Sequence, residues 1–385
     1  MSSPQFKRRG RTRAVIGAAA LAVAGATGIG LHYGLGANEA AAATHVVVDT
    51  SAELHEAISD AAAGDVIRVK AGTYYPSATL KSKASGTASN RITLEPYGNG
   101  AVIVDGSNLP DGNWLAAIHG SYWHVHDMTF QNSPAHGFVV TSSTGGVFDD
   151  LVTRYNGDTG FNLRGENTVN NLVEGLDSYG NYDASNNGEN ADGIAVKFGS
   201  GSGNVIRGAR LYENADDGLD FWSFSSPVRV ESNWAWGNGY NRWNDRNWQG
   251  DGNGFKLGGG GDTAAHVIVN NAAWSNAANG FTENSNPAQI QVYKNTAWKN
   301  EGSGFWFQTG HARLARNLSV DGGVADKIGS RTVSAANSWD SGVSVPSFRS
   351  TDARQAVRAR DADGSLPAVN FLSTGSTAIG STMTD

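Results

Sequence analysis

Three aspartates fall within five residues in the stretch "NADDGLDFW" (214–222), at Asp216, Asp217 and Asp220. Like charges that close repel, so they are either solvated in a turn or neutralised by a cation. A fourth acid, Asp192, stands in "NADGIAVKF" (190–198), and Lys256 stands in "GDGNGFKLG" (250–258). A lone "DG" is ordinary turn chemistry, and "RDADG" near the C-terminus is read that way. Four acids on two adjacent segments beside a matched lysine point to a metal. An all-oxygen set suits calcium, which takes roughly six to eight oxygen ligands in loose geometry, whereas zinc asks for His or Cys.

These residues meet only if the chain stacks them, and it carries a repeat that does so. An aromatic residue two positions before Asn recurs at Phe130/Asn132, Tyr179/Asn181, Tyr212/Asn214, Trp236/Asn238, Trp274/Asn276 and Trp298/Asn300, with Tyr155-Asn156 fitting after one slip. The Asn-to-Asn steps are 24, 25, 33, 24, 38 and 24 residues, and each Asn is followed by a Gly-plus-apolar pair such as Gly218-Leu219 or Gly254-Phe255. A period near 24 built from alternating strands ("HVIVNN", "VRVESN", "IQVYKN") and Asn/Gly turns predicts an all-β solenoid. The expected fold is a right-handed parallel β-helix with about seven detectable rungs. The asparagines should hydrogen-bond from rung to rung and tolerate the left-handed turn conformation, and the aromatics should stack inside the coil.

The two long steps carry insertions, between Asn181 and Gly193 and between Asn238 and Gly254. Both enter the turn just before the Gly strand and flank the aspartate-rich rung. In repeat folds, insertions on one face mark the binding face. Aligning the Gly strands puts Ala195, Asp220 and Lys256 in one outward column and Asp192, Asp217 and Asn253 in another, with neighbouring strands ~4.8 Å apart. Asp192, Asp216, Asp217 and Asp220 are therefore the expected calcium ligands. Lys256 is the expected proton abstractor, its pKa lowered by the ion and by burial. Lys197 is read as the partner of a substrate carboxylate.

Calcium with a basic lysine suits a polyuronate such as polygalacturonate, whose carboxylate adjoins a C5–H bond. Neutralising that carboxylate acidifies the C5 proton; its removal breaks the C4–O glycosidic bond and leaves an unsaturated product.

The whole chain has 29 Lys+Arg and 36 Asp+Glu; residues 1–44 hold five of the former and one of the latter, leaving 24 against 35, a net charge of −11. Nucleic-acid binding, which needs a basic footprint, is excluded. Residues 1–44 combine a basic start, an apolar run from Ala14 to Leu31 and small residues up to Ala43, the layout of a secretory signal. The mature part is expected outside the cell, monomeric and free of membrane. It has no cysteine. Residues 45–75 read as strand, helix, strand, with a capping box at Thr50 and Glu53 and a helix covering the end of the coil. The coil is expected over 45–330, and 331–385 should pack on it or cap it.

The rungs "ADGIAVKF", "NADDGLDFW", "GNGFKLGG" and "NTAWKN" resemble the family 9 pectate lyases over roughly residues 45–375. The resemblance implies a secreted parallel β-helix enzyme with calcium on Asp192, Asp216, Asp217 and Asp220 and Lys256 as the Brønsted base. Rival readings are a β-helix glycoside hydrolase or epimerase, which leaves Lys256 without a task or changes the product, and a non-catalytic carbohydrate-binding β-helix.

Overall fold

A computed structural model describes residues 43–384. The expected secretory signal lies outside the described residues except for its last two positions. Among the described residues no helix is long and apolar enough to cross a membrane.

Ten short strands, from Leu80–Ser82 to Lys327–Ile328, pair in parallel in one sheet, hereafter the site sheet. Two further parallel ladders complete the coil. One runs from Trp123–His126 to Val333–Ala335 and the other from Met128–Gln131 to Leu318–Val320. The long strands Val66–Tyr74 and Ile92–Asp105 join those two ladders into one 20-stranded sheet. Each turn of the chain thus gives one strand to each of three walls. Strands of two to six residues are too short to stand alone; each is held by the same positions one turn before and after.

The interior is filled by the apolar residue after each turn glycine. Phe255, Phe281 and Phe305 stack at 4.9 Å between successive ring centroids. The expected asparagine ladder is present and buried. Nδ2 of Asn156, Asn181, Asn214, Asn238 and Asn276 each donates to Oδ1 of the next ladder asparagine, ending at Asn300, at 2.8–3.1 Å. A second ladder, not expected from the repeat, runs through Asn233, Asn271, Asn295, Asn317 and Asn337 at 2.9–3.0 Å. The left-handed residue of the first ladder's turns is not the asparagine but the residue before it: Gly180, Glu213, Gly237, Ser275 and Lys299 all have positive φ.

Two details of the repeat differ from expectation. Tyr179, Tyr212, Trp236 and Trp274 stack nearly parallel at 4.3–4.8 Å, but on the outside of the coil. Their inward neighbours are the smaller Leu211, Ala235 and Ala273, which sit in the core. The reason is phase: the side chain just before the left-handed turn residue points away from the interior. Phe130 is the exception; it pairs with Thr153 and points inward, so Asn132 falls outside the ladder and Ser133 takes that rung's place.

Thr50 and Glu53 form the expected capping box on the helix Ser51–Ser59, whose Leu54 and Ile58 join the core. Beyond residue 335 the chain lies against the outer aromatic stripe. Phe371, Leu372 and Met383 bury Trp234, Trp274 and Trp298 in a second apolar cluster. Polar ties fasten it: Ser381 N–H donates to Thr296 Oγ1 at 2.8 Å, and the Arg210 guanidinium donates to the Arg358 carbonyl at 2.8 Å.

Candidate active site

The ladder asparagines set where the acids stand. Asn214 is anchored to Asn238, and Asp216 and Asp217 follow two and three residues later, in the turn that feeds the site-sheet strand Leu219–Phe224. That strand pairs with Ile194–Gly199 and Phe255–Lys256 in a register that puts Ala195, Asp220 and Lys256 in line. The turn column is tied together as well: Asp217 N–H donates to Asp192 Oδ1 at 3.3 Å, and Asn253 donates to Asp217 Oδ1 from its backbone at 2.6 Å and its amide at 2.9 Å.

Both insertions close on Asp216. Its Oδ2 accepts the Asn190 N–H at 3.1 Å and its Oδ1 accepts the Asp251 N–H at 2.6 Å, so one carboxylate pins the ends of the two loops. The loops also stack on each other through Tyr182 and Trp243, with centroids 4.6 Å apart.

The four acids and two lysines form one buried cluster. Lys256 Nζ lies 3.1 Å from Asp217 Oδ2, 3.7 Å from Asp220 Oδ2 and 2.9 Å from Asp251 Oδ2. Lys197 Nζ lies 2.9 Å from Asp192 Oδ2 and 2.7 Å from Asp220 Oδ2. The cluster opens into a cavity of ≈ 320 Å³ whose lining includes Asp216, Asp220, Lys197 and Lys256, with Trp222 and Phe198 as aromatic walls. The Lys256 ammonium also sits 5.6 Å from the Trp222 ring centroid.

Burial governs the acids. It pushes Asp216 up to about 7, with Asp192 adding to the rise and Lys256 opposing it. Burial raises Asp217 too, against the pull of Lys256. Lys256 behaves contrary to the expected lowering. Burial opposes its charge, but Asp217, Asp220, Asp216 and Asp251 outweigh that and hold the ammonium above the ordinary lysine range. Asp192 and Asp220 do the same for Lys197. An ammonium among four acids keeps its proton until their charge is spent elsewhere.

The donor set fits a hard divalent cation. Asp192, Asp217 and Asp220 each offer an oxygen within 4.8 Å of one another, and Asp216, Asp217 and Asp251 form a second such group. Asp217 Oδ2 and Asp220 Oδ1 are buried and accept no hydrogen bond, although Lys256 stands within charge-pairing distance of the former. Orphaned buried carboxylate oxygens are costly unless a cation reaches them. Calcium, with its oxygen preference, matches this set.

Sequence reasoning missed Asp251 as a partner of Lys256, although it stands five residues earlier in the same "GDGNGFKLG" stretch. Thr159, whose hydroxyl donates to Asp192 Oδ2 at 3.3 Å, carried no signal in the repeat. His266 is structural: buried, pushed down to about 3 by burial, its Nδ1 accepting the Val228 N–H.

A three-walled parallel coil with an acid–lysine centre on one wall and two loops clamped over it defines a class, the β-helix polysaccharide-active enzymes. The comparisons narrow it. A family model described as the Pel9A-like right-handed β-helix region matches residues 34–317. Pectate lyase PEL9 of Emericella nidulans is 39% identical over 82% of this chain and 85% of its own length. Pectate lyase L of Dickeya chrysanthemi is 34% identical over 84% of this chain and 79% of its own length. The crystal structure of pectate lyase Pel9A superposes with a TM-score of 0.75 at 31% identity, covering 84% of each chain. A rhamnogalacturonan lyase structure gives 0.74 at 25% identity, over 83% of this chain and 92% of that one. The chain belongs to the Pel9A-like right-handed β-helix family, and it is a polysaccharide lyase.

Proposed function

We propose that the chain is a secreted, calcium-dependent pectate lyase that cleaves polygalacturonate by β-elimination as a monomer. The observation that carries this reading is the placement of Lys256 Nζ on the same face as the acids, at 3.1 Å from Asp217 and 3.7 Å from Asp220, at the edge of a cavity open to a polymer.

Asp192, Asp216, Asp217 and Asp220 would hold the calcium. When bound, it would neutralise the uronate carboxylate and the acids around Lys256, making the C5 proton easier to lose and the amine easier to discharge. The remaining steps belong to the chain. Lys256 Nζ takes the C5 proton, and the pair of electrons left behind forms the C4–C5 double bond as the C4–O bond breaks. The leaving oxygen keeps that bond's pair and is protonated from solvent. Asp251, at 2.9 Å, orients the amine and stands ready to share its proton. Trp222 covers one side of the amine and excludes water from it. Lys197, taken in the sequence as a substrate partner, is better placed as the counter-ion that keeps Asp192 and Asp220 together before substrate arrives.

The test is the near-ultraviolet absorbance of unsaturated product from polygalacturonate, with and without a chelator, for the wild type and Lys256→Ala. Product that persists in the alanine variant would sink the mechanism. A second reading, a lyase acting on a rhamnogalacturonan, is favoured by the near-equal superposition of the rhamnogalacturonan lyase structure. The higher identity to pectate lyase PEL9 places it second.

A further inference from the structure

Three cations stand along the outward face of the site sheet near the cavity, and two are spent. Lys197 and Lys256 are paired with acids at 3.1 Å or less. The third, Arg164, is held differently. Its guanidinium carbon lies 5.5 Å from the Trp114 ring centroid and 5.4 Å from that of Phe198, and among the described residues no carboxylate pairs with it. Arg164 is half-buried and pairs in register with Lys197 one strand on. It sits three inter-strand steps from the strand of Lys256, ~14 Å along the sheet.

The surroundings are built like a sugar subsite. Asn162 lies two residues before Arg164 on the strand Phe161–Gly165, so both side chains leave the same face. Asn162 lines the cavity, is 2% exposed, and its Oδ1 is buried with no hydrogen-bond donor. A buried amide oxygen left without a donor inside a cavity asks for a hydroxyl or amide from a ligand. Phe198, which also lines the cavity, is held at φ 54, a conformation unusual for a bulky residue, and this keeps its ring turned outward over Arg164. A guanidinium clamped between two rings is pre-oriented and weakly hydrated, and its in-plane donors remain free for a carboxylate fork.

We propose that Arg164 and Asn162 form a distal uronate subsite, Arg164 taking the carboxylate and Asn162 accepting a hydroxyl of one sugar of the bound chain, about three strands from the reacting bond. The subsite rests on the polyuronate reading above. Its function is specificity: it selects a chain whose sugar at that point carries a free carboxylate, and it adds binding without touching the reacting atoms.

The experiment compares wild type, Arg164→Gln and Arg164→Lys on polygalacturonate and on pectin of increasing methyl-esterification, with calcium held at saturation. On polygalacturonate, Arg164→Gln should raise KM about tenfold or more with kcat within about twofold, the loss expected of one charge-assisted hydrogen bond. Arg164→Lys should fall between it and wild type. Because a methyl ester has no charge to recognise, the ratio of Arg164→Gln to wild-type KM should shrink towards one as esterification rises. Loss of Arg164 packing against Trp114 and Phe198 alone would raise KM on both substrates by the same factor, and that pattern overturns the proposal, as does an unchanged KM on polygalacturonate. Oligogalacturonate binding to the Lys256→Ala variant, with and without Arg164→Gln, measured by calorimetry, reads the same subsite without turnover; equal affinity of the two also overturns it. If wild type itself yields no unsaturated product from polygalacturonate, the parent reading has failed rather than the subsite.

Discussion

The Lys256 ammonium lies 3.1 Å from Oδ2 of Asp217, a residue 39 positions earlier in the chain but only one turn of the coil away. Amine and carboxylate are buried together, and neither would be stable there alone. The proposed base and the proposed cation site are therefore one electrostatic unit, and perturbing either is felt by the other.

Replacing Lys256 by Ala should lower kcat about a thousandfold, the typical loss of a positioned base. Arg at this position should be equally inactive, because a guanidinium does not give up its proton. Calcium affinity, read by calorimetry, should rise in Lys256→Ala, since a competing positive charge has left the acids. A fall in affinity there would mean that the lysine helps to build the site rather than competing for it.

Asp217→Ala removes the carboxylate that pairs with Lys256 and accepts two hydrogen bonds from Asn253. It leaves a buried ammonium with fewer partners, so unfolding should be easier by about 3 kcal/mol, together with loss of calcium binding. Denaturant titration without calcium checks the first effect. Unchanged stability would show that Asp220 and Asp251 suffice to hold Lys256.

Asp216, pushed up to about 7, sets a pH dependence whose sign follows from its unfolded value near the usual carboxylate range. A raised acid binds a proton more tightly when folded, so its ionisation costs the metal-free protein stability as pH rises from about 4 to about 7. Calcium needs the ionised form, so its affinity should climb over that window and level off above it. Calorimetry between pH 5 and 8 reads this directly, and affinity that is flat across the range would remove Asp216 from the ligand set.

Lys197→Met separates two roles for that residue. As an internal counter-ion between Asp192 and Asp220, its loss should lower the thermal midpoint in chelator, and calcium should restore most of the difference by supplying the missing charge. As a substrate-carboxylate partner, its loss would raise KM and leave the calcium-free midpoint unmoved.

The period near 24, the turn asparagines and the Gly-plus-apolar pairs were legible because a solenoid repeats its local environment every turn, so each position states its role several times over. The same repetition puts Ala195, Asp220 and Lys256 in one column, and the strands pair in that register. What no repeat states is which way an odd-sized side chain faces. The Tyr and Trp stripe lies outside because the turn's left-handed residue precedes the asparagine, and because Phe371, Leu372 and Met383 return from the far end of the chain to cover it. Nor does spacing report charge balance. That Lys197 is spent on Asp192 and Asp220, that Asp251 reaches Lys256 and that Arg164 is left between two rings are outcomes of three-dimensional packing, decided by which opposite charges the insertions bring within a few ångströms. Strand order and register follow from hydrogen bonding and alternation, which are local and periodic. Electrostatic partnership depends on neighbours distant in the chain, and only the folded coil sets it.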